Sequence, residues 1–252
     1  MFAALKPFVL AVQDFFLLSG AAFRGVLRRP HYIEDIVLQM DNIGVGSLPI
    51  VALTGLFSGA VMALQMSRAL ATYGQINRTA QVVALTLVRE LGPDLTALVV
   101  AGRNASGMAS ELGSMKVTEQ IDAMRALGTD PVQKLVTPRL VATSLMLPCL
   151  TVIADLIGIF GGWVVAYFSL HLPSRGYWSS AWRALEWNDL TQGLVKPFVF
   201  ALVVALIGCF YGLRTSGGTQ GVGHATTRAM VTASILIFVL TYFIVQIFVS
   251  AR

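Results

Sequence analysis

The chain has 252 residues, of which 56% are hydrophobic and 12% charged, with a mean hydropathy of +0.72. Soluble domains carry about 25% charged residues, so this composition argues against a soluble enzyme and for a polytopic helical membrane protein. The net charge of +5 fits Lys and Arg retained on the cytoplasmic side better than nucleic-acid binding. Cys149 and Cys209 both lie in apolar runs, which gives neither a disulfide framework nor a metal-ligand spacing.

At the N-terminus, residues Phe8 to Phe23 are apolar apart from Gln13 and Asp14, and Arg24, Arg28 and Arg29 follow. A cleaved signal peptide would have an uninterrupted apolar core, and a membrane span needs roughly 20 residues. An amphipathic helix lying in the interface fits this stretch best, with a sixth span and a signal peptide as the alternatives. Five spans follow from the gaps between charges. Asn42–Ser67 and Ala229–Ala251 carry no formal charge, Leu140–Ser174 is broken by Asp155 alone, and Thr191–Leu213 by Lys196 alone. The weakest span is Thr79–Gly102, which contains Arg89, Glu90 and Asp94. With the N-terminus inside, the inner segments hold 11 Lys and Arg and the outer ones 5, an asymmetry that puts the C-terminus outside. The outer loop His171–Trp187 holds Tyr177, Trp178, Trp182 and Trp187, the composition of a membrane–water interface.

Three of these spans contain glycines four residues apart: Gly55 and Gly59, Gly158 and Gly162, Gly208 and Gly212. Such a groove serves either packing within the bundle or a seam between two copies. Arg89, Glu90, Asp155 and Lys196 each cost about 2.5–3.5 kcal/mol at depth by translocon-type scales unless paired or hydrated. Arg89 and Glu90 are adjacent, so on a helix they point about 100° apart and cannot pair with each other. Pro93 removes an N–H and should bend the helix and free carbonyls upstream. Two readings stay open here: a structural ion pair near the outer interface, or the polar lining of a substrate cavity.

Between the second and third spans, Ala101, Ala105, Ala109 and Gly113 form a stripe of small residues. Thr118 then reads as an N-cap, with Glu119, Gln120 and Asp122 in the first turn of a short helix. Ile121, Met124 and Leu127 recur on one side, Arg125 lies between them, and Gly128 with Asp130–Pro131 marks the stop. A helix of about ten residues is unstable alone in water, so it docks, either on the chain's own loops or, the preferred reading, on a cytoplasmic partner. The glycine-rich Ser216–His224 reads as a tight turn. None of the four lysines follows a glycine, so the phosphate-binding loop of an ATPase is missing. His31, His171 and His224 lie far apart in sequence and give no metal site.

The stretches RELGPDLTALVVAGR (Arg89–Arg103), ASELGSMKVTEQIDAMRALGTDPVQKLVTPRLVA (Ala109–Ala142) and GVGHATTRAMVTAS (Gly221–Ser234) resemble the MlaE family of ABC-transporter permeases, also called YrbE in actinobacteria and represented in the chloroplast inner envelope. The resemblance covers nearly the whole chain and implies an all-α integral membrane fold: an N-terminal interfacial helix over 1–40, then a five-span bundle over 42–252, together one permease domain. It implies a homodimer enclosing a lipid cavity and a separate cytoplasmic ABC ATPase, which would hold the ATP and magnesium; no cofactor is expected in this chain. Thr118, Glu119, Gln120, Ile121, Asp122, Met124, Arg125 and Leu127 would form the coupling helix. Arg89, Glu90, Asp155 and Lys196 would lie at the lipid cavity. Further implied partners are a periplasmic MCE-domain hexamer and a STAS-domain protein. The cargo would be phospholipid moving between the inner and outer membranes, or a related lipid or sterol in actinobacterial members. The start of the chain does not read as an organellar transit peptide, which favours a bacterial inner membrane. The rival class is an ion-coupled carrier or channel using the four intramembrane charges as a relay; such carriers usually show an internal repeat, and none is evident.

Overall fold

The computed structural model describes residues 2–30 and 32–250, which are helical with no strand. His31 and the charge of Arg252, both counted above, lie outside the described residues. The long helices are α1 (Phe2–Leu27), α3 (Gly46–Ala71), α8 (Thr137–Phe168), α10 (Trp187–Leu213) and α11 (Gly218–Ser250). Shorter ones are α2 (Ile33–Met40), α4 (Thr79–Thr86), α5 (Gly92–Val100), α6 (Ser106–Val117), α7 (Gln120–Ala126) and α9 (Ser174–Ala184).

Among the described residues, five helical stretches are long and apolar enough to cross a membrane: Val9–Leu27, Ile33–Ala71, Val132–Phe168, Trp187–Leu213 and Gly218–Ser250. The chain is an all-α integral membrane protein. The expected Thr79–Gly102 span lies in an equally long helical run, from α4 through α6, that the charges of Arg89, Glu90 and Asp94 keep out of that purely apolar set. Residues 8–23, short for a span when read between charges, belong to a helix whose Val9–Leu27 stretch does meet the length requirement. Two further boundaries move. Helix α10 begins at Trp187, four residues before Thr191, and α11 begins at Gly218, well before Ala229. The aromatic outer loop is not irregular: α9 occupies most of it.

The chain divides into two compact units. The first comprises 1–43, 100–145 and 201–236. In it, the small stripe of α6 meets the glycines of α10. A Cβ on Gly208 would lie 2.9 Å from the Ala105 carbonyl, and one on Gly212 would lie 2.7 Å from the Leu112 Cβ. Helix α1 is held by the Thr137 hydroxyl, which donates to the Ala22 carbonyl (3.3 Å), by Phe15 edge-on to Phe210, and by Asp14 paired with Arg214 (2.9 Å). Arg139, 3% exposed, pairs with Glu111 at 2.7 Å and donates to the Leu135 carbonyl.

The second unit comprises 44–99, 146–200 and 237–252. Its core gathers Ala63, Val83, Leu87, Val88, Ile159, Ala166, Tyr177 and Ala181. Gly55 and Gly59 of α3 face Ala154 and Gly158 of α8 so closely that a Cβ on Gly59 would sit 1.9 Å from the Gly158 carbonyl. Gly162 serves a different neighbour. It makes room for Tyr177 of α9, whose hydroxyl donates to the Ile159 carbonyl (3.1 Å). All six glycines of the paired motifs therefore have part of this same chain against them.

Candidate functional site

Helix α10 carries Asp189, Gln192 and Lys196 at spacings of three and four, which brings them onto one face. That face meets the turn Leu87–Leu91, a π-helical stretch between α4 and α5. Wide turns of this kind recur at functional sites, and this one aims two adjacent side chains at the same neighbour. Arg89 binds the Asp189 carboxylate through both Nε and Nη2 at 2.7 Å. Glu90 accepts from Gln192 Nε2 (3.1 Å) and from Lys196 Nζ. Asp189 and Lys196 are both fully buried.

Lys196 has a second task. Pro93 has no N–H to offer the Arg89 carbonyl four residues back, and Lys196 Nζ donates to that carbonyl at 2.9 Å. One ammonium thus satisfies a carboxylate and a helix carbonyl, in a setting where each unsatisfied polar group costs several kcal/mol. One turn further along, Asp94 accepts from the Thr241 hydroxyl of α11 at 3.0 Å.

Of the four intramembrane charges singled out in the sequence, Arg89, Glu90 and Lys196 come together, and Asp155 does not join their ion pairs. Its Oδ1 has no hydrogen-bond partner among the described residues, and the carboxylate lies where a side chain at position 92 would go: a Cβ on Gly92 would be 1.7 Å away. Asp155 also lines a cavity of about 330 Å³ with Val88, Leu156, Ile159, Trp182, Trp187 and Leu194, among others. Its walls are apolar, and Asp155 is the one formally charged residue on them. Asp189 and Gln192 were missed in the sequence, although their spacing to Lys196 was there to be seen; Asp189 falls between the outer loop that ends at Trp187 and the span that starts at Thr191. The apolar residues of α3 and α11, among them Leu53, Phe57, Ile235, Phe238, Tyr242 and Phe243, are outward-facing and exposed.

The short helix differs from the expectation in its start. Helix α7 runs over Gln120–Ala126, and its N-cap is Glu119, in the left-handed conformation at φ 61° with no side-chain cap bond. Thr118 instead closes α6, its hydroxyl donating back to the Ser114 carbonyl (2.9 Å). An αL residue reverses the chain sharply between the two helices. The hydroxyl, donating to an upstream carbonyl, accepts downstream only from the Gln120 side chain (3.1 Å) and caps no backbone N–H. Ile121 is fully buried, Met124 half-buried and Leu127 84% exposed. Gly128 at φ 79° ends the helix, with Thr129 N–H reaching the Met124 carbonyl and Gly128 N–H the Arg125 carbonyl, the double bond of a Schellman stop. Asp122 binds Lys116 (2.6 Å) and Arg125 (3.5 Å). The hydrogen bond from Lys116, with the nearby positive charges, holds its carboxyl below the ordinary carboxylate value.

The sequence has counterparts among known proteins. The family model described as Permease MlaE matches residues 36–247. The chain belongs to the MlaE permease family. Among relatives, a probable ABC transporter permease protein of Rickettsia felis is 43% identical over 241 residues, covering 96% of this chain and 93% of the relative. The intermembrane phospholipid transport system permease protein MlaE of Haemophilus influenzae is 35% identical, covering 94% and 90%. Protein TRIGALACTOSYLDIACYLGLYCEROL 1, chloroplastic, of Arabidopsis thaliana is 33% identical, covering 92% of this chain and 66% of its own length. The match to the MlaE permease model takes in the charged turn, α7 and the start of α11 alike.

Proposed function

We propose that this chain is the membrane subunit of an ATP-driven phospholipid transporter working between the inner and outer membranes of a bacterium. The observation that carries the reading is the pairing of Arg89 and Glu90 with Asp189, Gln192 and Lys196 beside an apolar cavity. A phospholipid asks for greasy walls and a few convergent polar groups, and the relative from Haemophilus influenzae carries intermembrane phospholipid transport in its name. Two copies would enclose the lipid route, using the exposed apolar faces of α3 and α11. The chain has no phosphate-binding loop of its own, so ATP and magnesium belong to a separate cytoplasmic ABC ATPase. Residues 118–127 would dock on it, with exposed Leu127 and Arg125 presented and Ile121 holding α7 to its own chain. A periplasmic MCE-domain hexamer and a STAS-domain protein complete the assembly. The N-terminus is cytoplasmic and the C-terminus periplasmic.

In this mechanism ATP-driven closure of the ATPase pair displaces α7. The helical run from Thr79 to Val117 links α7 along the chain to the turn that holds Arg89 and Glu90. The test is reconstitution of the chain with the ATPase and the MCE protein in vesicles carrying labelled phospholipid. ATP-dependent lipid movement that Glu90→Gln reduces per assembled complex, by more than it reduces assembly, is expected. Ion flux without ATP and without partners would overturn the reading in favour of a carrier.

A further inference from the structure

The glycine-rich Ser216–His224 segment is not used by the lipid route above. It turns the chain between α10 and α11 with Gly217 at φ 88° and Gly218 at φ 67°, conformations in which a side chain is strained. Gly221 follows in the first turn of α11, and a Cβ there would fall 1.9 Å from the Ser216 carbonyl. The turn therefore folds tightly over the start of a 33-residue helix. From that start, Gly221, His224 and Arg228 follow at spacings of three and four, on one face.

That face borders a cavity of about 490 Å³, whose wall also includes Tyr211, Arg214 and Ser216. Two guanidinium groups and an imidazole line it, and no acidic residue does. Arg214 is partly engaged, paired with Asp14 and stacked over Phe210. Arg228 and His224 have no hydrogen-bond or ion-pair partner among the described residues, and both are exposed. The opposite part of the wall is apolar, from Ala11, Phe210 and Ala225. A cationic fork, a hydroxyl and a greasy flank are the features that a phosphate ester carrying an aliphatic body would use.

We infer that this cavity is a phosphate-binding site, separate from the Glu90–Lys196 region, that takes a phosphate ester such as an anionic phospholipid headgroup. Arg228 supplies the free bidentate donor, Arg214 the second charge and Ser216 a hydroxyl, while the Tyr211 hydroxyl is already bonded to that of Thr232. The inference does not depend on the direction or energetics of lipid transport, so it stands or falls apart from that reading.

The test is native mass spectrometry of the full chain released from detergent after equilibration with phosphatidylglycerol or with phosphatidylcholine of the same acyl chains. The wild type should retain one more phosphatidylglycerol than phosphatidylcholine per chain. Arg228→Gln should weaken that retention roughly tenfold, the loss of one charge-assisted hydrogen bond, with Arg228→Lys intermediate. Arg68→Gln, an exposed arginine elsewhere, should retain it fully. Because Arg228 is exposed and unpaired, its variant should melt with the wild type, which separates lost binding from lost folding. A second arm adds inorganic phosphate: displacement of the retained lipid assigns a site that reads phosphate from any source, and undisturbed retention assigns the lipid headgroup. Either result supports the site. Equal retention of the two lipids by the wild type, or equal losses in Arg228→Gln and Arg68→Gln, overturns it.

Discussion

Two sets of ion pairs in this molecule use the same chemistry in opposite surroundings. Lys196 with Glu90 and Arg89 with Asp189 place two fully buried groups, Lys196 and Asp189, among apolar helices. Asp122 with Lys116 and Arg125 stands in the open on α7. Desolvation makes the first set intolerant of losing a partner, since the survivor is left charged and buried. The second set can exchange each partner for water at little cost. Sequence alone shows both as charges near apolar runs. What separates them is whether a second helix closes over them.

The largest effect should therefore come from Lys196→Met. It removes a donor from both Glu90 and the Arg89 carbonyl, and should cost about 2–4 kcal/mol, seen as a large fall in the detergent melting temperature. The pair Lys196→Met with Glu90→Leu should recover much of that loss while abolishing lipid movement. If the double variant melts no higher than the single one, the charge on Glu90 is not what the lysine neutralises. Next comes Gly59→Val, whose new carbons would overlap the Gly158 carbonyl and should cost about 1–3 kcal/mol. Gly102→Ala, where a Cβ meets nothing within 4 Å, is the matched control and should melt with the wild type.

Smaller again is Gly128→Ala. The φ of 79° costs an L side chain about 1–2 kcal/mol, and the strain is confined to the end of α7. Amide exchange over 120–127 should quicken while the global melt holds. The smallest effect belongs to Asp122→Asn, expected to lower the melt only slightly at neutral pH. Since the folded carboxyl lies below its unfolded value, its contribution is present above about pH 4 and fades as the pH falls through the depressed folded value. A wild-type melt that gains stability relative to Asp122→Asn on acidification would contradict that sign.

The helical fold was legible because charge-free runs long enough to span a bilayer leave few other options. The ends were not. A helix continues past the hydrocarbon wherever its backbone still finds partners, so Trp187 and Gly218 begin helices that the charge pattern starts later. The same blindness hid Asp189, which lies in the extra turn of α10, before the span that the charge pattern starts at Thr191. Pro93 did announce a freed carbonyl, but nothing in the local sequence names Lys196, over a hundred residues away, as its donor. Thr118 was misread because a hydroxyl followed by an acid reads as a cap, and which way the hydroxyl turns depends on a backbone reversal at Glu119 that no propensity favours.

The lysine that holds both a carboxylate and a proline-orphaned carbonyl also restricts what substitution can do at that place. A neutral amide at 196 could reach the carbonyl but leaves the acid charged. A guanidinium is planar and holds its donors in a rigid fork, where the ammonium turns its three donors to suit. Restoring an N–H by Pro93→Ala would release the ammonium from one duty and let it follow the acid alone. Proline and lysine are thus coupled across two helices: the residue at 93 decides how many acceptors the ammonium at 196 has to serve.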